Sequence, residues 1–143
     1  MITETPSASQ LSQVISQAVA PAFLLGALAA FISLLILRMN RVVDRSQNLN
    51  SIADADSTRA RLKADLPRLK QRATLLNRAI LYASISAIFA TSLVMLAFVI
   101  AFFGIEHERG IAVLFIVSLG FFAAALVNLA RETRIALHEF DYY

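Results

Sequence analysis

The groups in this 143-residue chain that could do chemistry are few and mostly charged. Arg38, Arg41, Asp44 and Arg45 stand together, and Asn77 and Arg78 follow after a polar stretch. If a fold brings the two strips side by side, Asp44 can meet Arg78 or Arg41. A carboxylate between guanidiniums would then form a polar clasp, since an unpaired charge in a dry environment is costly. The same arginines could instead hold an anionic ligand or an ion. Glu106, His107 and Glu108 suggest a metal or proton site, but consecutive side chains diverge, and a soluble hairpin tip between Gly104 and Gly110 accounts for them better. No catalytic constellation emerges: His107 and His138 are far apart, there is no Cys, and no Gly-rich phosphate loop or convergent acid pair is present. The absence of Cys also excludes disulfides, thiolate nucleophiles and Cys-ligated metals. The expectation is no enzyme, no cofactor and no metal.

The elements that must position these residues are apolar. The chain is 58% hydrophobic and 16% charged, against ~45–50% and ~25% for soluble domains. Three segments, Ala22 to Leu37, Ala79 to Phe103 and Ile111 to Ala130, contain no ionisable side chain. As helices they measure roughly 24, 37 and 30 Å, against a hydrocarbon core of ~30 Å. The first spans if its flanks contribute. It does not read as a cleaved signal peptide, because residues 1 to 20 carry only Glu4 and the positive charges follow the segment.

Ten of the 13 basic residues lie between Arg38 and Arg78, giving that segment a net charge of +6. The positive-inside rule makes this segment and the C-terminus cytoplasmic, with the N-terminus and the Gly104 to Gly110 turn outside. The expected class is all-α: a multi-pass bacterial inner-membrane protein with three transmembrane helices, an N-terminal interfacial helix and a cytoplasmic helical hairpin extending the first two spans.

The hydrophobic spacing divides the chain further. Leu11, Val14, Ile15, Ala18 and Val19 share one face, so residues 9–19 read as an uncharged amphipathic helix at the outer surface. Pro21 suits the first turn of the spanning helix. That helix runs 21–50 with its cytoplasmic extension, a turn occupies 51–57, the returning helix and second span occupy 58–104, and the third span with its extension occupies 111–137. Leu35, Met39, Val42, Ser46, Leu49 and Ala53 form one heptad stripe, and Leu62, Leu66, Leu69, Ala73, Leu76 and Ile80 another; the two predict antiparallel pairing. Asp54, Asp56 and Ser57 are suitable N-caps for the return, and Pro67 is expected to kink it near Leu66.

Pro21-Ala22-Phe23-Leu24-Leu25, Arg41-Val42-Val43-Asp44-Arg45, Leu76-Asn77-Arg78-Ala79-Ile80 and Arg131-Glu132, in that order, resemble a bacterial membrane family known as domain of unknown function 2721. The resemblance covers roughly residues 15 to 137. It implies a topology and no agreed activity, and it marks Pro21, Arg41, Asp44, Arg45, Asn77 and Arg78 as positions to test.

Small residues run along each span: Gly26, Ala30 and Ser33 in the first, Ser84, Ala87 and Thr91 in the second, Gly120, Ala124 and Asn128 in the third. Such residues let helices approach within or between subunits; the same residue types line pores. The hairpin's charge fits anionic lipid headgroups on the cytoplasmic side. It does not fit nucleic acid, because no aromatic between Phe31 and Tyr82 is available for stacking. The favoured function is a structural or accessory one, as a homo-oligomer or a subunit of a larger membrane complex acting through the basic hairpin. The alternative is an ion-conducting homo-oligomeric channel with a Ser84/Thr91-lined constriction.

Overall fold

The computed structural model describes residues 8–51, 60–104 and 108–140. Among them the chain is helical almost throughout, as three long helices and one short 3₁₀ segment with no strand. Helix α1 is Ala8–Asn50, α2 is Leu66–Phe103 and α3 is Glu108–Phe140. Each contains a stretch long and apolar enough to cross a membrane, with mean hydropathy of 2.4, 2.5 and 2.6 over its 18-residue window. The chain is thus built as a multi-pass membrane protein.

Two expected boundaries are corrected. The amphipathic segment 9–19 is not a separate interfacial helix but the first turns of α1, which runs 43 residues through a buried Pro21 without a break. At ~1.5 Å per residue α1 is about 65 Å long, twice a hydrocarbon core. Nothing between Ala18 and Ala22 supplies a glycine or a competing cap, and one lost backbone bond at a proline is tolerated in a long apolar helix. Pro67 likewise does not kink α2. It lies in the first turn of α2, directly after the 3₁₀ segment Ala60–Asp65. A missing N–H costs nothing there, and the fixed φ favours helix initiation. Residue 53 and the expected caps Asp54, Asp56 and Ser57 lie outside the described residues.

Gly104 closes α2. Its φ of 66° is left-handed, and its N–H donates to the Ile100 carbonyl, a C-terminal cap that other residues adopt with strain. Gly110 belongs to α3 rather than to the connecting turn.

Helix α2 lies in the middle, packed along its length against α1 on one side and α3 on the other. Strict seven-residue spacing marks the seams. Leu28, Leu35, Val42 and Leu49 are buried on α1; Leu69, Leu76, Ala83, Ala90 and Ala97 are buried on α2. The two heptad stripes therefore meet in one core cluster, flanked by half-buried Met39, Leu66, Ala73 and Ile80. Between the outer helices Phe31 and Phe122 meet edge-to-face at 5.3 Å, while Phe89 of α2 stacks on Phe121 of α3 at 5.7 Å. Large apolar side chains such as Phe23, Ile88, Met95, Ile116 and Leu137 point outward. In water such a surface would aggregate; in hydrocarbon it is solvated.

Candidate functional site

Helix α3 continues the seven-residue rule in an unusual way. Its fully buried seam positions are Ser118, Ala125 and Glu132. A carboxylate thus occupies a core position, where an uncompensated charge would cost several kcal/mol. The other two helices compensate it from seam positions of their own. Arg38 lies seven residues after Phe31 on α1, and Arg72 lies seven before the buried Ala79 on α2. Arg38 donates from Nε (3.0 Å) and Nη2 (2.6 Å) to Glu132 Oε2. Arg72 donates from Nε to Oε1 at 2.9 Å. Each carboxylate oxygen thus has its own guanidinium, a charge-assisted arrangement stronger than neutral hydrogen bonds. Arg38 Nη2 also reaches Thr133 Oγ1 at 3.4 Å, and that hydroxyl donates to the Leu129 carbonyl at 2.9 Å.

Arg38, Arg72 and Glu132 form an ionic layer that ties all three helices together. It lies where the apolar run of α1 ends at Leu37 and that of α3 ends at Ala130. The Glu132 side chain is fully buried, whereas those of Arg38 and Arg72 retain 29% and 15% exposure.

A second polar contact lies deeper in the bundle. Ser86 Oγ donates to the Ser118 carbonyl at 2.6 Å, and Ser118 Oγ donates to the Ser86 carbonyl at 2.8 Å. Both serines are fully buried. This reciprocal pair satisfies its own hydroxyls and holds α2 and α3 at close approach, the usual employment of small hydroxylated residues between apolar helices. Among the described residues no group of three His, Asp or Glu could hold a metal ion.

A family model described as a protein of unknown function, DUF2721, matches residues 18–142. The chain belongs to the DUF2721 family. The matched span includes the ionic layer, the serine pair and nearly all of the three helices. No curated protein and no solved structure matches the chain.

In this DUF2721 chain the clasp expected around Asp44 is replaced by the one around Glu132. Asp44 is exposed, and among the described residues it has no ion pair; Arg41, Asn77 and Arg78 are exposed as well. The reason is helical phase. Asp44 follows the buried Val42 by two residues, about 200° around the helix, so it points away from the seam. Of the expected clasp residues only Arg38 joins the ionic layer. Arg45 approaches Asp65 at 3.9 Å, a loose and partly exposed pair.

The small-residue positions divide similarly. Asn128 is buried and donates to the Ala124 carbonyl of its own helix at 2.8 Å. Ser84, Ala87 and Ala124 are half-buried. Gly26, Ala30, Ser33, Thr91 and Gly120 face outward. Ser33 and Thr91 return their hydroxyls to carbonyls four residues back, Ala29 and Ala87.

Spacing and charge assign no contact to Glu132, Thr133 or the pair Ser86–Ser118, and they count Arg72 only toward the basic surface. A usable signal was present: counting sevens back from Glu132 gives Ala125 and Ser118, a seam of small residues ending in a carboxylate. The uniformly apolar third span hides that seam, because hydropathy alone gives it no preferred face.

Proposed function

We propose that this chain is a non-enzymatic structural or accessory protein of a bacterial inner membrane. The N-terminus faces outward, and the basic end of the bundle, with the hairpin joining α1 to α2, faces the cytoplasm. The observation that carries the reading is the ionic layer: it fastens α1, α2 and α3 where the apolar spans give way to the +6 segment. The described parts of α1 and α2 beyond the layer thereby prolong the bundle, so that the segment can present its charge to anionic headgroups or to a partner subunit.

Self-association belongs to the same reading. A side chain at Gly26 or Gly120 would meet nothing within 4 Å, so glycine has no packing use there within one chain. It disfavours a helix by roughly 0.5–1 kcal/mol relative to Ala. A helix of a second copy lying across Gly26 would supply the use, and a shallow apolar hollow lined by Val19, Ala22, Phe23 and Ala27 surrounds that position. The channel alternative gains no comparable support, since the Thr91 hydroxyl spends its proton on the Ala87 carbonyl of its own helix and Ser84 is half-buried within the chain.

The test is the number of copies per particle after extraction into native-lipid nanodiscs. More than one copy is expected, reduced to one by Gly26→Leu; single copies of the unmodified chain at every expression level refute self-association. Orientation is tested separately by introducing Cys at Ser7 and at Ser57. The chain has no native Cys, so an impermeant thiol reagent applied to intact cells is expected to label the first site and not the second. Labelling of both, or the reverse pattern, overturns the orientation.

A further inference from the structure

We infer that the flank of the ionic layer between α1 and α3 is a binding site for one phospholipid, its phosphate on Arg38 and an acyl chain in the crease between the two helices. The inference rests on the proposed membrane reading and adds to it a discrete site with a stated ligand.

Three observations converge on it. The first is charge. Arg38 spends only Nε and Nη2 on Glu132 and Thr133. Its Nη1 has no partner among the described residues, and its side chain keeps 29% exposure. An anion placed there would receive a charge-assisted hydrogen bond from that free edge of the guanidinium.

The second is the surrounding field. Arg41 lies one turn beyond Arg38, and Arg134 lies next to Thr133; both are exposed and have no ion pair among the described residues. An anion at Arg38 therefore has a further cation one turn away on α1, while Glu132 is fully enclosed behind Arg38.

The third decides the kind of anion. Backbones of α1 and α3 approach each other little compared with their contacts to α2, and the gap is bridged by long side chains, Phe31 to Phe122 and Arg38 to Glu132. Both helices carry exposed leucines on the approach to Arg38. Leu34 lies one turn before Arg38, and Leu126 and Leu119 lie seven and fourteen residues before Thr133 on the same face of α3; all three are exposed, at 45%, 43% and 40%. A free phosphate would use the arginines and ignore the crease. A phosphodiester carrying an acyl chain uses both, and it is the abundant anion at the depth where apolar spans end.

The experiment uses the full chain purified in detergent, with phosphatidylglycerol added, and native mass spectrometry to count retained lipid. One tightly retained phosphatidylglycerol per chain is expected. Leu126→Trp fills the crease from an exposed position without touching the ionic layer. Arg38→Lys keeps a cation for Glu132 and removes the second guanidinium edge. Each is expected to weaken retention by about tenfold, the scale of one charge-assisted contact or of one well-filled apolar one. Leu81→Trp, on an exposed face of α2 away from the crease, is expected to change nothing. Unchanged retention in Leu126→Trp overturns the site, even if Arg38→Lys fails to fold. Displacement of the lipid by millimolar inorganic phosphate overturns the assignment to a lipid. Nanodisc copy number and cysteine labelling report on the membrane and accessory reading separately, so either can fail without the other.

Discussion

Replacing Glu132 by Gln tests the reasoning about the ionic layer most directly. The side chain keeps its volume, but one of its two oxygens becomes an NH₂ group. In the native arrangement Oε2 accepts two N–H groups from Arg38 and Oε1 accepts one from Arg72. Whichever way the amide turns, a donor then faces a guanidinium, and both guanidiniums lose the carboxylate they share. Removing one member of a buried ion pair costs about 3–5 kcal/mol. Since Arg38 and Arg72 keep 29% and 15% side-chain exposure, water recovers part of the loss, which places the expectation near the lower end, about 3 kcal/mol. Asp44→Asn is the matched control: exposed and unpaired among the described residues, it should change stability by no more than about 0.5 kcal/mol. Reversible unfolding of the detergent-solubilised chain by denaturant titration, followed by circular dichroism, measures both. Equal losses for the two variants refute the assignment. The triple replacement Arg38→Met, Arg72→Met, Glu132→Leu goes further. With both guanidiniums removed along with the carboxylate, it should recover most of the loss, because apolar side chains of similar volume often replace a buried triad at little cost. A triple variant as unstable as Glu132→Gln would mean that the damage is not electrostatic.

Two smaller perturbations check other parts of the fold by the same titration. Ser86→Ala removes one half of the reciprocal contact with Ser118 and should cost about 0.6 kcal/mol, and no more than ~1.7 kcal/mol; because the two hydroxyls also lie 3.1 Å apart, adding Ser118→Ala should cost less or more than a simple sum predicts. Gly104→Ala should destabilise by about 1 kcal/mol, since its φ of 66° is left-handed, whereas Gly110→Ala inside α3, with nothing within 4 Å of its side-chain position, should not destabilise at all.

What was legible in the sequence is what depends on neighbours along the chain. Three apolar runs, the polar hairpin between the first two, and the pairing face of that hairpin follow from spacing, because Leu35, Val42 and Leu49 recur every seven residues and so do Leu69 and Leu76. Charge placement along the chain was legible for the same reason. Less so were element boundaries: α1 runs through Pro21, and Pro67 starts α2 rather than bending it, since a proline's effect depends on whether the turn before it is already helical.

The identity of the buried carboxylate is another matter. By sequence proximity Asp44, with Arg41 and Arg45 beside it, looks better paired than Glu132, whose principal partners lie 94 and 60 residues away. Three apolar helices could be assembled in several rotational settings that satisfy hydropathy equally well. Only the packing of α3 on α2, fixed by the Ser86–Ser118 contact and the stacked rings of Phe89 and Phe121, turns Glu132 inward to meet Arg38 and Arg72. Composition and periodicity determine that the chain is a set of apolar helices with one basic end. The tertiary structure decides which of the charges at that end is enclosed, because enclosure depends on the relative rotation of the helices, and no local pattern encodes it.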